Sequence, residues 1–144
     1  MREISTGTVE NWPPSIIVYT DGASRGNPGP ASSGIVFYDQ DENELYCFGE
    51  YLGEQTNNYA EYTAVKKAIE IAAENKVEEL VLRSDSQLLV RQILGEYKVK
   101  SSGLKPIYLE CMDLIKKIKT FKVEHVRREF NKKADEIAND VLDQ

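Results

Sequence analysis

Hydrophobic positions along this chain change their spacing several times, and each change predicts a new structural element. Three runs rich in β-branched and aromatic residues come first, at residues 16–21, 32–39 and 44–53, and their short polar connections predict an antiparallel meander of three strands. Residues 1–14 show no such period and end in two prolines. We therefore expect a short, loosely held N-terminal extension, followed by one domain over residues 15–144.

Helical spacing begins near residue 58 and continues without glycine or proline to about residue 75. The later elements follow in order: a strand at 78–85, a short helix at 86–94 with Ser86 as its N-cap, a helix with an apolar stripe over 104–118, a strand at 121–127, and a last helix that Asn131 opens. Because helical segments of crossover length separate the later strands, the pattern predicts an α/β fold in which a mixed sheet carries helices on its faces.

The bulk composition agrees with one globular domain of 144 residues and 16.3 kDa. No apolar stretch approaches the roughly 18 residues of a membrane span, and the N-terminus lacks the apolar run of a secretory signal, so we expect a cytoplasmic protein without membrane association. Cys47 and Cys111 lie far apart among apolar residues, which predicts two buried thiols; a disulfide between them is the less favoured alternative.

The local pattern assigns four acidic residues to buried faces: Asp21, Glu61, Asp85 and Asp135. Alternation places Asp21 on the same side of the first strand as its apolar residues, and helical spacing places Glu61 and Asp135 on apolar stripes. Asp85 stands where the fourth strand ends and a helix begins, at the edge where open α/β sheets bind ligands.

Any one of these acids could be a helix cap or half of an ion pair, and for Asp85 alone that explanation is favoured. For all four together a bound cation is favoured, because no equal set of Lys or Arg lies on the same faces. Oxygen ligands favour Mg²⁺ or Mn²⁺ over zinc. Two such ions, roughly 3.5 to 4 Å apart, could hold the attacking and leaving oxygens of a phosphodiester.

The net charge of −6 and the pI near 4.9 are unusual for a protein that acts on nucleic acid, because contacts with phosphate normally supply much of the affinity. Bound cations offer one explanation. A local concentration of basic residues offers a second, and these residues are Arg91, Lys98, Lys100 and Lys105.

The sequence around the acids resembles the type 1 ribonuclease H family. The most specific segment is YTDGASRGNPGPA at residues 19–31, and three further segments follow in the family's order: TNNYAE at 56–61, SDSQ at 84–87 and NKKAD at 131–135. The resemblance covers residues 16–142. It implies an RNase H-like fold, with a five-stranded mixed sheet whose first three strands are antiparallel and with helices on both faces.

The resemblance also implies an activity, which is hydrolysis of the RNA strand of an RNA/DNA hybrid. Asp21, Glu61, Asp85 and Asp135 would be the catalytic carboxylates that bind two Mg²⁺ or Mn²⁺ ions. Water would attack the phosphorus and leave a 5′-phosphate on one product and a 3′-hydroxyl on the other.

Several polar residues match family positions that contact the hybrid: Asn27, Asn57, Asn58 and Gln87 for RNA 2′-hydroxyls and minor-groove edges, and Thr56 for a phosphate of the DNA strand. An amide can both donate to and accept from a 2′-hydroxyl, the group that separates RNA from DNA. Gly22 and Gly26 are expected to let the backbone approach the substrate. Turn chemistry is the alternative explanation for Asn27 and for both glycines.

The chain departs from some family members in three respects. A loop histidine before the last helix is missing, so Arg128 is a hypothetical substitute, with an ordinary strand-end charge as the alternative, and His125 is interpreted as structural. The basic helical protrusion of some relatives is absent. Glu54 occupies a place where some relatives have a phosphate-binding arginine.

Two other functions remain as alternatives: a binding module that has lost the chemistry, and another nuclease on the same fold, such as a resolvase, integrase or transposase core. The complete set of four acids argues against the first. The asparagine pair at 57–58 and Gln87, which suit 2′-hydroxyl contacts, argue against the second. We expect a monomer with no obligate protein partner.

Overall fold

One six-stranded sheet forms the centre of the computed structural model, which describes residues 2–144. The strands are β1 (Glu3–Gly7), β2 (Ser15–Ser24), β3 (Gly29–Tyr38), β4 (Glu44–Gln55), β5 (Glu79–Ser84) and β6 (Thr120–His125). The helices are α1 (Asn57–Glu74), α2 (Gln87–Ile93), α3 (Lys105–Ile115) and α4 (Lys132–Leu142), and a short 3₁₀ helix spans Arg128–Phe130. The strands lie in the order β1-β4-β3-β2-β5-β6.

The sheet is mixed, as the sequence predicts. β2, β3 and β4 pair as an antiparallel meander, whereas β5 runs parallel to β2 and β6 runs parallel to β5. The parallel pairs need long crossovers, which α1 and the α2–α3 segment supply. As a result, the carboxyl ends of β2 and β5 lie side by side at one edge of the sheet.

Helices cover both faces of the sheet, in agreement with the predicted architecture. The larger core lies between one face and α1, α2 and α3, and its largest fully buried members include Tyr62, Phe37 and Ile16. The smaller core lies under α4, where Ala134 and Ile137 pack with Val36 and Cys47. Both cysteines are free and buried, as predicted. Within residues 2–144, no helix is long and apolar enough to span a membrane.

The predicted number of five strands is wrong, because the N-terminal segment contributes a sixth. β1 pairs antiparallel with the outer edge of β4, and Trp12 packs in a tilted arrangement against Phe37, with ring centroids 4.8 Å apart. The edge of β4 offers unpaired backbone groups to any extended segment, and backbone pairing needs no apolar alternation. Hydrophobic periodicity therefore could not detect β1, which is exposed at four of its five residues.

α4 packs against β3 at unusually short range. A Cβ added to Gly34 would lie 2.2 Å from the carbonyl oxygen of Ala134 and 2.7 Å from the backbone nitrogen of Ala138, so only glycine fits at this point of the strand. Ser32, fully buried in the same strand, donates a 2.6 Å hydrogen bond to the Ala138 carbonyl. These contacts set the position of α4, and with it Asp135, against the sheet.

Candidate active site

Parallel pairing brings two of the four predicted acids together. Thr20 of β2 pairs with Ser84 of β5, so the next residues along the two strands, Asp21 and Asp85, are neighbours at the carboxyl edge of the sheet. α2 begins directly after Asp85, with Ser86 as its N-cap. The side chain of Ser86 accepts a hydrogen bond from the Leu89 amide at 3.3 Å, which leaves the carboxylate of Asp85 free of the capping role.

Glu61 reaches this edge because α1 lies almost in contact with β2. A Cβ at Gly22 would lie 2.3 Å from the backbone nitrogen of Glu61, so a side chain at this position would displace the helix. The Gly22 amide donates a 2.5 Å hydrogen bond to Oε1 of Glu61. The close neighbour that requires glycine at this position is α1. Gly22 also lines the cleft, and its approach to a substrate stays a prediction.

The four predicted acids line one open cleft of about 490 Å³. Asp21, Glu61 and Asp85 each contribute a carboxylate oxygen, and these three oxygens lie within 4.8 Å of one another. The fourth acid, Asp135 in the first turn of α4, lies close enough to the Asp21 carboxyl to raise its pKa through a hydrogen bond. The acids differ in exposure from the prediction, since Asp21 and Glu61 are buried whereas Asp85 and Asp135 are partly exposed.

The electrostatics of the cleft favour a bound cation. Burial, then the charge of Glu61 and hydrogen bonds to Asp135 and Glu61, raises the pKa of Asp21 from 3.8 to about 10. Burial also raises the pKa of Glu61 to about 7, against the lowering effect of hydrogen bonds from Gly22, Asp21 and Ser84. A divalent ion bound between neighbouring carboxyl groups with such raised pKa values would stabilise their ionised form. Three clustered oxygen donors of this type fit Mg²⁺ or Mn²⁺.

Two asparagines to which the sequence analysis assigns no role in the site donate hydrogen bonds to these carboxylates. Asn131, which precedes α4, donates from Nδ2 to Oδ2 of Asp85 at 3.1 Å. Asn139 donates from Nδ2 to Oδ1 of Asp135 at 3.3 Å and also lines the cleft. Their spacing carries a usable signal, because both lie four residues from Asp135 along the sequence. In a helix that spacing puts Asn139 on the same face as Asp135.

The predicted substrate-binding residues fall into two groups. Asn57 and Asn58 line the cleft beside the acids. Arg128, the predicted substitute for the loop histidine, lines the cleft as well and belongs to the short 3₁₀ helix that precedes α4.

The other residues lie around the rim. Asn27 supports Asn57 by accepting a 3.0 Å hydrogen bond from its backbone amide, and Thr56 is the N-cap of α1. Gln87 is exposed at the first residue of α2, outside the set that lines the cleft.

A second, more apolar depression adjoins the cleft at Asn58. Its lining combines exposed apolar side chains with two lysines: Leu88 and Tyr97, which are 43% and 49% exposed, and Lys98 and Lys100. Lys98 and Lys100 are two of the four basic residues that the sequence analysis proposes as a local cationic region in this negatively charged protein. The linings of the depression and of the acidic cleft share Asn58.

Comparison with known proteins places this arrangement in a family. Residues 19–141 match the family described as reverse transcriptase-like. Ribonuclease HI of Halobacterium salinarum is 38% identical over 87% of this chain, and a bifunctional protein of Mycobacterium tuberculosis is 34% identical over 89% of it. The chain spans 63% of the first of these relatives and 35% of the second.

Solved structures agree with the sequence relatives. RNase H1 from Halobacterium salinarum superimposes with a TM-score of 0.87 at 37% identity, over 90% of this chain and 98% of that one. LC11-RNase H1, solved in complex with an RNA/DNA hybrid, gives a TM-score of 0.85 at 40% identity, over 90% and 97% of the two chains. The fold, the segments around the four acids and these matches together show that the chain belongs to the type 1 ribonuclease H family.

Proposed function

We propose that this protein is an endonuclease that hydrolyses the RNA strand of RNA/DNA hybrids and leaves 5′-phosphate and 3′-hydroxyl ends. The observation that carries the proposal is the cluster of Asp21, Glu61 and Asp85, with carboxylate oxygens within 4.8 Å of one another, in a cleft that Asn57 and Asn58 also line. The relatives named ribonuclease HI and the relative solved with an RNA/DNA hybrid support it.

The four carboxylates are proposed as the ligands of two Mg²⁺ or Mn²⁺ ions. Bound at this position, such ions would supply the positive charge that holds an attacking water and the leaving oxygen in line at the phosphorus. The chain's own part is to place the ligands. Gly22 donates to Glu61 and Asn139 donates to Asp135, so two of the four side chains are oriented before any ion arrives.

Recognition of RNA is assigned to the amides beside the acids. Asn57 and Asn58 begin α1 at the mouth of the cleft, and each can donate to and accept from a ribose 2′-hydroxyl. Asn27 orients Asn57 from behind. Gln87 and Thr56 are proposed as outer contacts, to the RNA strand and to a phosphate of the DNA strand.

The DNA strand is proposed to follow the depression that joins the cleft at Asn58. Lys98 and Lys100 there offer ammonium groups to phosphates, and Tyr97 and Leu88 offer apolar surface to sugars and bases. This path lets a protein with a net charge of −6 bind a polyanion through a local cationic surface.

The test of the function is cleavage of one labelled sequence presented as RNA/DNA, RNA/RNA, DNA/DNA and single-stranded RNA. We expect the RNA of the hybrid to be cut in Mg²⁺ or Mn²⁺ and to stay intact in EDTA. Single-stranded RNA controls for contaminating ribonucleases, which need no metal. Binding without cutting under every condition would identify a binding module instead, and cleavage of DNA would identify a nuclease of the resolvase class.

Replacing Arg128 with alanine is expected to lower kcat by about tenfold and to leave the Mg²⁺ concentration for half-maximal activity unchanged. Arg128 lines the cleft and forms no ion pair with another residue of the described chain, so its guanidinium is available to a phosphate. A hydrogen bond to a charged group contributes roughly 1.5 to 3 kcal/mol. Steady-state kinetics across a Mg²⁺ titration measure both quantities.

Arg127→Ala is the matched control for this prediction, because Arg127 is the neighbouring arginine, with a side chain 80% exposed and paired with Glu129. Unchanged turnover in Arg128→Ala, or an equal loss in Arg127→Ala, would remove Arg128 from the site.

A further inference from the structure

The side chain of Asn131 lies between the two strand ends that carry the acids. The residue is only 1% exposed. Its Nδ2 donates to the carbonyl oxygen of Thr20 at 2.9 Å and to Oδ2 of Asp85 at 3.1 Å. Thr20 directly precedes Asp21. One amide group therefore connects the segment before α4 to the backbone beside one cluster member and to the carboxylate of another.

The usual role of an asparagine at the start of a helix does not explain this arrangement. A capping asparagine accepts, through Oδ1, a hydrogen bond from a backbone amide of the first turn. Asn131 occupies the N-cap position of α4 but makes no such hydrogen bond. Its Oδ1 is buried and has no hydrogen-bond partner in the described part of the chain. The acceptor is left unsatisfied, at a cost, while both hydrogens of the amide are directed to the edge of the sheet that carries the acids.

We propose that Asn131 is a positioning residue that fixes the carboxylate of Asp85 for metal binding, an inference that rests on the proposed function. A carboxylate beyond the end of a strand can rotate about its side-chain bonds, and each rotation moves its oxygens relative to those of Asp21 and Glu61. The hydrogen bond to Oδ2 selects one orientation and occupies one lone pair, and the remaining lone pairs of the carboxylate stay available to a cation.

The second hydrogen bond makes this positioning specific to the cluster. Because Nδ2 also binds the carbonyl of Thr20, the amide cannot move toward or away from Asp85 without losing the contact to β2. The distance between the carboxylates of Asp21 and Asp85 is thereby tied to one rigid group. An aspartate at this position would have no hydrogen to donate, and a leucine would keep the volume without either hydrogen bond.

The test compares Asn131→Leu and Asn131→Ala with the wild-type protein, by isothermal titration with Mn²⁺ in the absence of substrate and by Mg²⁺ titration of hybrid cleavage. Loss of an outer hydrogen-bond partner of a metal ligand typically weakens metal affinity by 10- to 100-fold, so we expect Mn²⁺ to bind at least about tenfold more weakly to both variants. The half-maximal Mg²⁺ concentration should rise in proportion. The leucine variant preserves packing volume if the alanine variant folds poorly.

Ile137→Ala is the control for a general loss of stability, since Ile137 packs in the small core under α4 and does not line the cleft. It should lower the Tm and leave Mn²⁺ affinity unchanged. Wild-type Mn²⁺ affinity in both Asn131 variants, or an equal loss in Ile137→Ala, would overturn the inference and leave the proposed function intact. A wild-type protein that neither binds Mn²⁺ nor cuts the hybrid would refute both.

Discussion

Replacement of Asp85 with asparagine is expected to reduce Mg²⁺-dependent cleavage of an RNA/DNA hybrid by about a thousandfold or more. Asp85 supplies one of three carboxylate oxygens that lie within 4.8 Å of one another. The neutral amide of asparagine would remove one negative charge from the cation site. A metal ion at a reacting phosphate stabilises the transition state by several kcal/mol. Each 1.36 kcal/mol of lost stabilisation lowers the rate by a factor of ten. Single-turnover cleavage at saturating Mg²⁺ measures the loss in the chemical step.

The matched control for Asp85→Asn is Asp113→Asn, which makes the same change of charge at an α3 side chain 78% exposed. It should cut the hybrid at the wild-type rate. Retention of binding to the hybrid by Asp85→Asn would show that the loss lies in chemistry. Cleavage by Asp85→Asn within tenfold of wild type would contradict the assignment of this carboxylate as a metal ligand.

Asp21→Asn is expected to abolish cleavage and yet to raise the Tm of the metal-free protein at pH 8, by about 5 °C. The folded protein holds the carboxyl of Asp21 at a pKa of about 10, chiefly through burial, against an ordinary value of 3.8. Folding at pH 8 must therefore protonate this group or bury its charge. An asparagine avoids that cost, because its amide carries no charge and has two hydrogens to donate to Asp135 and Glu61, where the protonated carboxyl has one.

The pH dependence distinguishes this cause from others. Where the folded state holds a proton that the unfolded state has lost, stability falls as pH rises, by up to about 1.4 kcal/mol per pH unit for one group. The stabilisation that Asp21 provides when protonated is thus complete below about pH 4 and is lost progressively as the pH rises toward 10. The Tm advantage of Asp21→Asn should accordingly grow between pH 5 and pH 9.

Thermal unfolding in EDTA across that range measures the difference, with Asp113→Asn again as the control of equal charge. Saturating Mg²⁺ should remove the advantage or reverse it, because an ion that binds only the folded wild-type protein stabilises it by mass action. A lower metal-free Tm for Asp21→Asn at every pH would indicate that the Asp21 carboxylate is held by a structural partner.

The acids could be predicted from the sequence because each breaks a local pattern. Asp21 is a charged residue on the side of its strand where alternation places apolar residues, and Glu61 is a charged residue within an apolar helical stripe. Periodicity does not show that these positions meet. Their convergence depends on the parallel register of Thr20 with Ser84 and on the close contact between Gly22 and α1, both of which join segments distant in the sequence. From the sequence, only the resemblance to the ribonuclease H family predicts that the four acids share one site.

The features that the sequence did not reveal depend on hydrogen bonds. Asn131 is recognisable as a residue at the start of a helix, but nothing local shows that its side chain turns toward Asp85. The partial exposure of Asp85 and Asp135 follows from their places at the mouth of the cleft, where helical or strand periodicity alone would bury them. Local patterns thus identify the ionisable groups, and the tertiary structure determines which of them are oriented by a neighbour.

The N-terminal strand affects how the molecule meets other copies of itself. Without β1, the twelve-residue β4 would be the edge of the sheet and would present a row of free backbone donors and acceptors beside the buried residues Cys47 and Phe48. A long unpaired edge favours strand-to-strand aggregation. β1 covers five positions of β4 and replaces this edge with a shorter one of mostly exposed residues that begins at Glu3. Strand β1 therefore covers the part of β4 where a strand of a second copy could otherwise pair.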